Sequence, residues 1–254
     1  MGAGAITQYV DLAQVVVYLF LFFFVGLVIY LTLESKREGF PLETERFGQI
    51  RREDGILGMP RIKKFVTEFG ETYFAPSKNP LDTQKVSAEP IHPWNGAPLT
   101  PVGNPLLAGV GPGSYANRAD HVDYDLEGHA RIRPLRKLHE ISISTIDTNP
   151  IGLAVIAADG EKAGTVTDVW VDHMEMLIRY LEVDVGGTKT LLPINFSKIG
   201  KRDIKVQSIL ADQFKHVPKT KHPEEVTLLE EEKIMAYFGA GTLYATPSRQ
   251  EPLL

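Results

Sequence analysis

The sequence predicts one transmembrane α-helix followed by a mainly β, water-soluble domain with a helix near its C-terminal end. Three observations predict this. An uncharged apolar run lies near the N-terminus. A proline-rich stretch unsuited to long regular elements follows it. Beyond that come short apolar runs punctuated by turn residues, and then one amphipathic helical pattern.

The apolar run is LAQVVVYLFLFFFVGLVIYLTL, residues 12–33, and contains no charge. At ~1.5 Å per residue it is long enough for a hydrocarbon core of ~30 Å. Gln14 and Thr32 are polar but lie near its ends, and Tyr18 and Tyr30 suit the two interfaces. A cleaved signal peptide is the alternative, but the leading MGAGAITQYVD has no basic residue and no small-residue cleavage site follows. Lys36, Arg37, Arg46, Arg51 and Arg52 follow the span and none precedes it. The positive-inside rule therefore predicts residues 1–11 in the periplasm and the rest in the cytoplasm.

Residues 34–118 carry prolines at 41, 60, 76, 80, 90, 93, 98, 101, 105 and 112. Such a stretch sustains neither long helices nor central strands. Phe65, Phe69, Tyr73, Phe74 and Trp94 are too apolar for a free linker. The expectation is an extended surface arm whose burial is completed by a partner.

The soluble domain is expected over residues 119–254. AVIAADGEKAGTVTDVWVD (154–172) places Asp159-Gly160 between two apolar runs. IRYLEVDVGGTKTLLPI (178–194) does the same with Gly186-Gly187, and DIKVQSIL (203–210) adds a strand. About five short strands with tight turns suggest a small β-barrel or rolled sheet. VTLLEEEKIMAYF (226–238) reads as a helix, with Thr227 and Glu230 as a capping box and Gly239 and Gly241 as stops.

Composition narrows the function. A net charge of −5 and a pI near 5.8 argue against a nucleic-acid partner. Without cysteine there are no disulfides, thiolate metal sites or cysteine nucleophiles. No phosphate-binding loop, dinucleotide fingerprint, zinc-protease helix or serine-hydrolase elbow is present, so no catalytic residue is assigned.

Two polar constellations stand out. In HVDYDLEGH (121–129), strand alternation would put His121, Asp123, Asp125, Glu127 and His129 on one face. The plain reading is the wet face of a half-buried strand. The functional reading is a proton-collecting or cation-binding surface, because clustered carboxylates raise one another's proton affinity and imidazole titrates near neutrality. Asp172-His173-Met174-Glu175 with Arg179 is either an ordinary polar turn or a buried acid held by a nearby Arg and able to relay a proton.

These blocks, in this order, resemble a known family. They are IYL (29–31), REGFPLE (37–43), GPGSYANR (111–118), NPIGLAVIAADGEKAGTVTDVWVD (149–172), RYLEV (179–183), LLPI (191–194), VTLLEEEKIMAYF (226–238) and LYATPSR (243–249). Together they resemble the H subunit of the photosynthetic reaction centre of purple bacteria, with residues 45–100 the most divergent part. The resemblance implies a PRC-type β-barrel in the cytoplasmic domain and a single-pass protein of the inner, intracytoplasmic (chromatophore) membrane. It implies a subunit that binds no pigment and caps the L and M subunits. Those partners hold bacteriochlorophyll, bacteriopheophytin, quinones, carotenoid and non-haem iron. Light-harvesting 1 ring polypeptides, a cytochrome subunit and membrane lipids are the further implied partners.

The implied roles are to stabilise the assembly, shield the quinone sites and conduct protons to the secondary quinone. Carried over by residue, proton uptake falls on Asp125, Glu127 and His129, with Glu127 standing where the better-studied members have His. The inner relay falls on Asp172, Glu175 and Arg179, and Tyr30 becomes a lipid contact. Phe40 stands where the family usually has Tyr. The competing readings are a membrane-anchored PRC-barrel adaptor outside photosynthesis and a membrane-tethered hydrolase using the acidic cluster.

Overall fold

The computed structural model describes residues 11–38, 42–43, 50–51, 57–68, 70, 72–76, 86–94 and 96–250. Residues 1–10 of the expected periplasmic stretch 1–11, Phe40 and Phe69 lie outside them. Two compact units are present, residues 1–83 with 94–96, and residues 84–93 with 97–254.

In the first unit, helix α1 (Leu12–Ser35) is capped by Asp11, whose side chain accepts from the Gln14 backbone N–H at 2.7 Å. None of its residues is buried, as a span facing lipid requires. The C-terminal end of α1 is clamped to a hairpin of β3 (Lys63–Val66) and β4 (Thr72–Ala75), which follows the short ladder of β1 (Leu42–Glu43) and β2 (Ile50–Arg51). Arg37 donates to Glu34 at 2.7 Å and to the carbonyls of Arg61 and Ala75 at 2.6 and 2.9 Å. Lys63 donates to Glu34 at 2.9 Å, and its ammonium lies 6.0 Å from the centre of the exposed Tyr30 ring. The expected arm thus contains paired strands, yet Phe65, Tyr73 and Phe74 stay exposed.

In the second unit, β5 (Ala88–Pro90) pairs with β6 (Leu99–Pro101). The main sheet has seven strands: β7 (Ile132–Pro134), β8 (Ala154–Ile156), β9 (Lys162–Asp172), β10 (Leu177–Val185), β11 (Thr188–Pro193), β12 (Ser197–Ile199) and β13 (Asp203–Val206). They run in the order β11-β10-β9-β8-β13-β12, with β7 beside the C-terminal half of β9. A flat array in that order would hold β11 and β12 ~24 Å apart. Yet only the 3-10 turn Ile194–Phe196 joins them, a link that reaches no more than ~14 Å. The sheet must therefore be rolled, as expected. Gly186 and Gly187 form the β10–β11 turn with φ of 61° and 87°, the left-handed backbone that a two-residue hairpin needs.

Val155, Val169, Leu181, Leu192 and Ile204 fill the roll and meet Ile234 and Phe238 of helix α2 (Leu228–Tyr244). The predicted capping box is present: Thr227 Oγ1 accepts from Glu230 N–H at 3.2 Å, and the Glu230 carboxylate accepts from Thr227 N–H at 2.9 Å. The predicted stops at Gly239 and Gly241 are corrected, because the helix runs through both. A Cβ on Gly239 would lie 2.5 Å from the Pro112 carbonyl oxygen, and one on Gly241 2.5 Å from that of Ser208. These glycines permit close approach of backbones and do not end the helix. Segment 97–118, expected in the arm, belongs to this unit, with Gly113 packed against Ala240.

One buried charge network braces the roll. The Glu182 carboxylate accepts from Thr167 Oγ1 at 2.8 Å, Trp170 Nε1 at 3.1 Å and Arg136 at 2.9 Å, and pairs with Lys189 at 2.7 Å. Arg136 also donates to Asp168 at 2.8 Å. Burial would raise the Glu182 pKa, but the Lys189, Thr167, Arg136 and Trp170 donors outweigh it and hold it at about 2.

Candidate functional site: an acidic cluster around one arginine

Residues 121–129 do not form the expected strand. Asp125 N–H donates to the His129 carbonyl at 2.8 Å and Gly128 N–H to that of Asp125 at 3.1 Å. Val122 and Tyr124 make only isolated bridges, to Thr227 and Ala130. The chain reverses at Gly128, where φ is 82°. This turn breaks the alternation: Asp125 is buried, whereas Leu126 is 82% exposed. The expected common face therefore does not exist, and Glu127 points to solvent.

Asp125 is the buried member of this loop. Its Oδ1 accepts from His129 N–H at 2.7 Å, and its Oδ2 lies 3.5 Å from His129 Nδ1 and 3.2 Å from His173 Nε2. His173 Nε2 is shut off from solvent and out of hydrogen-bond alignment. Burial pushes the Asp125 carboxyl up, but the His129 backbone N–H and the charges of His129 and His173 outweigh it, leaving it below the ordinary value.

The second constellation ends β9 and turns into β10. Asp172 is buried, and its Oδ1 accepts from the Met174 and Glu175 N–H groups at 3.1 and 3.2 Å. Glu175 lies in the turn, with Met176 at φ 55°. The cation that gathers these acids is Arg131, which precedes β7. It donates to Asp123 at 3.0 Å, Asp172 at 2.8 Å and Glu175 at 3.2 Å. Its backbone carbonyl accepts from His173 N–H at 3.1 Å, which locks the two segments together.

Arg179 was expected in this role and lies elsewhere. The β9–β10 ladder slips between Ile178 and Tyr180, so Arg179 is the bulged residue. A bulge re-aims its side chain, and Arg179 stands 3.9 Å from Glu231. Glu231 accepts from Tyr180 Oη at 2.9 Å, and burial raises its pKa. The structure thus brings together Asp125, His129, Asp172 and Glu175, and leaves Arg179 outside. Sequence reasoning placed His173 in the second constellation without giving it a role, and missed Arg131. A basic residue directly after an acid-rich loop was the available signal for Arg131.

Comparison with known proteins shows what this chain is similar to. A family model described as "Photosynthetic reaction centre, H-chain N-terminal region" matches residues 4–137. The PRC-barrel domain model matches residues 146–213. An uncharacterized protein of Deinococcus radiodurans is 35% identical over 71 residues, covering 26% of this chain and 26% of that protein. The chain therefore spans about a quarter of that relative's length.

Proposed function

Because this chain belongs to the photosynthetic reaction centre H-chain family, we propose that it caps the core subunits of a reaction centre and passes protons inward from their aqueous face. Family membership implies association with reaction-centre core subunits, and the one helix among the described residues that is long and apolar enough to cross a membrane fits a single-pass protein of a photosynthetic membrane. The finer reading is that the large domain faces the cytoplasm, that the L and M subunits hold all the pigments, quinones and iron, and that this chain is a structural subunit and not an enzyme. Light-harvesting 1 polypeptides, a cytochrome subunit and lipid at Tyr30 complete the proposed surroundings.

One observation supports the proton role: exposed and buried titratable groups gather around Arg131. His129 is 60% exposed in its side chain and contacts buried Asp125, which lies 3.2 Å from His173. His173 follows Asp172 in the chain, and Arg131 ties Asp172 to Glu175. A proton taken up at Asp125, Glu127 or His129 passes by His173 to the Asp172–Glu175 pair. Arg131 stays charged and redistributes its donors as one acid or another is neutralised. Met174, Met176 and Leu177 are exposed around Glu175 and supply apolar contact area for a capping role.

The test is to solubilise native membranes in mild detergent, capture this chain and record the near-infrared absorption of the eluate. Pigment bands that bleach reversibly in light are expected. A colourless eluate, with the chain intact on other partners, would overturn the reading in favour of a PRC-barrel adaptor outside photosynthesis.

A further inference from the structure

A cavity of about 700 Å³ opens beside the β12–β13 pair and the C-terminal end of α2. Lys198 and Lys205 line it and are direct cross-strand partners. Like charges in that relation repel, and neither makes an ion pair among the described residues. Arg249 completes a cationic triad. Its guanidinium is fixed by the carbonyls of Ser208 at 2.7 Å, Gly241 at 2.6 Å and Gln207 at 2.9 Å, and by no carboxylate among the described residues. Ser208 and Thr242 also line the cavity, and among the described residues no acid does. The Ser208 hydroxyl is buried and has no hydrogen-bond partner, an arrangement that native structures rarely leave unsatisfied.

We propose that this cavity binds a phosphate-class oxyanion, either the headgroup of an anionic phospholipid or a soluble phosphate compound. Three cations without a counter-charge among the described residues supply the attraction. An Arg prefixed by backbone carbonyls supplies a donor plane at little ordering cost. Ser208 is the lining residue whose hydroxyl hydrogen no other described group takes, since Thr242 donates to the Gly239 carbonyl and Ser197 to that of Ile194. Lysine on the edge strand β12 disfavours addition of a peptide strand, so a small anion fits better than an acidic peptide.

The experiment uses the full chain in phosphatidylcholine nanodiscs, titrated with pyrophosphate and followed by calorimetry and phosphorus NMR. Saturable binding is expected. The double substitution Lys198→Gln with Lys205→Gln should weaken it at least tenfold. Lys201→Gln with Arg202→Gln, exposed in the neighbouring turn and outside the cavity lining, should change it less than twofold. Tryptophan fluorescence verifies folding, and Lys198→Gln alone serves if the double variant is unstable. Nanodiscs containing phosphatidylglycerol identify the source: suppressed pyrophosphate binding means the headgroup occupies the cavity, and undiminished binding means a soluble ligand does. No saturable binding, or equal loss in both double variants, would overturn the proposal.

Discussion

Replacing Glu182 by Gln tests whether the buried charge network holds the roll together. Holding this carboxyl at about 2, and not at its ordinary 4.5, is worth about 3 kcal/mol at neutral pH. Gln keeps the shape and can still meet Thr167 and Trp170, but leaves Lys189 without its counter-charge and Arg136 with Asp168 as its carboxylate partner. The expected loss is about 2–3 kcal/mol at pH 7. At roughly 2 kcal/mol per M of urea, the midpoint should fall by about 1–1.5 M. The pH dependence has a definite sign. The folded-state pKa is depressed, so the contribution is present above about 4.5 and is lost as pH falls toward 2. The gap between parent and variant should shrink by more than half by about pH 3. Trp170 donates to this carboxylate and is one of two tryptophans, so fluorescence in a Trp94→Phe background reports the event directly. Equal urea midpoints at pH 7, or a gap unchanged at low pH, would refute the reasoning.

Further predictions concern the site and α2. Glu175→Gln should slow proton-coupled reduction of the secondary quinone severalfold, read by flash absorption, while primary charge separation is unchanged. Unchanged second-electron kinetics would remove Glu175 from the relay. His173→Ala should slow the same step, with partial recovery in imidazole buffer, and a loss that imidazole never restores would point to a packing role alone. Gly241→Ala should cost about 2–3 kcal/mol in urea unfolding, because its Cβ has only 2.5 Å to the Ser208 carbonyl oxygen. Thr227→Ala should cost about 1–2 kcal/mol by the same measurement, since it removes both the helix cap and the bond to Asp120.

The parts legible in the sequence were those fixed by local chemistry. An uncharged apolar run of this length favours a membrane helix on length and composition alone. Gly160 and Gly186-Gly187 marked their hairpins because few other residues accept the positive φ they hold. Thr227 and Glu230 marked a helix start because each satisfies the other's backbone. Local chemistry misled where a residue answered to a distant one. Gly239 and Gly241 looked like stops because nothing in the sequence says that Pro112 and Ser208 lie against them. Arg179 looked like the partner of Asp172 because a bulge leaves no trace in residue order. Arg131 is separated from Asp172 by 41 positions and from Glu175 by 44, a distance that only the β7–β9 pairing closes. The loop at 121–129 alternates like a strand, and only Gly128 hinted at the reversal that buries Asp125.

The link from β11 through Ile194–Phe196 to β12 makes one turn of this sheet unlike the others. At Gly186-Gly187 an inserted residue would lengthen an exposed loop and leave the ladder intact. At Ile194–Phe196 the covalent chain itself is the seam, and its length sets how tightly the sheet curls. Loop-length tolerance should therefore be sharply unequal between two turns of similar size. The interior volume of the roll is in that sense written into three residues that contribute no strand at all.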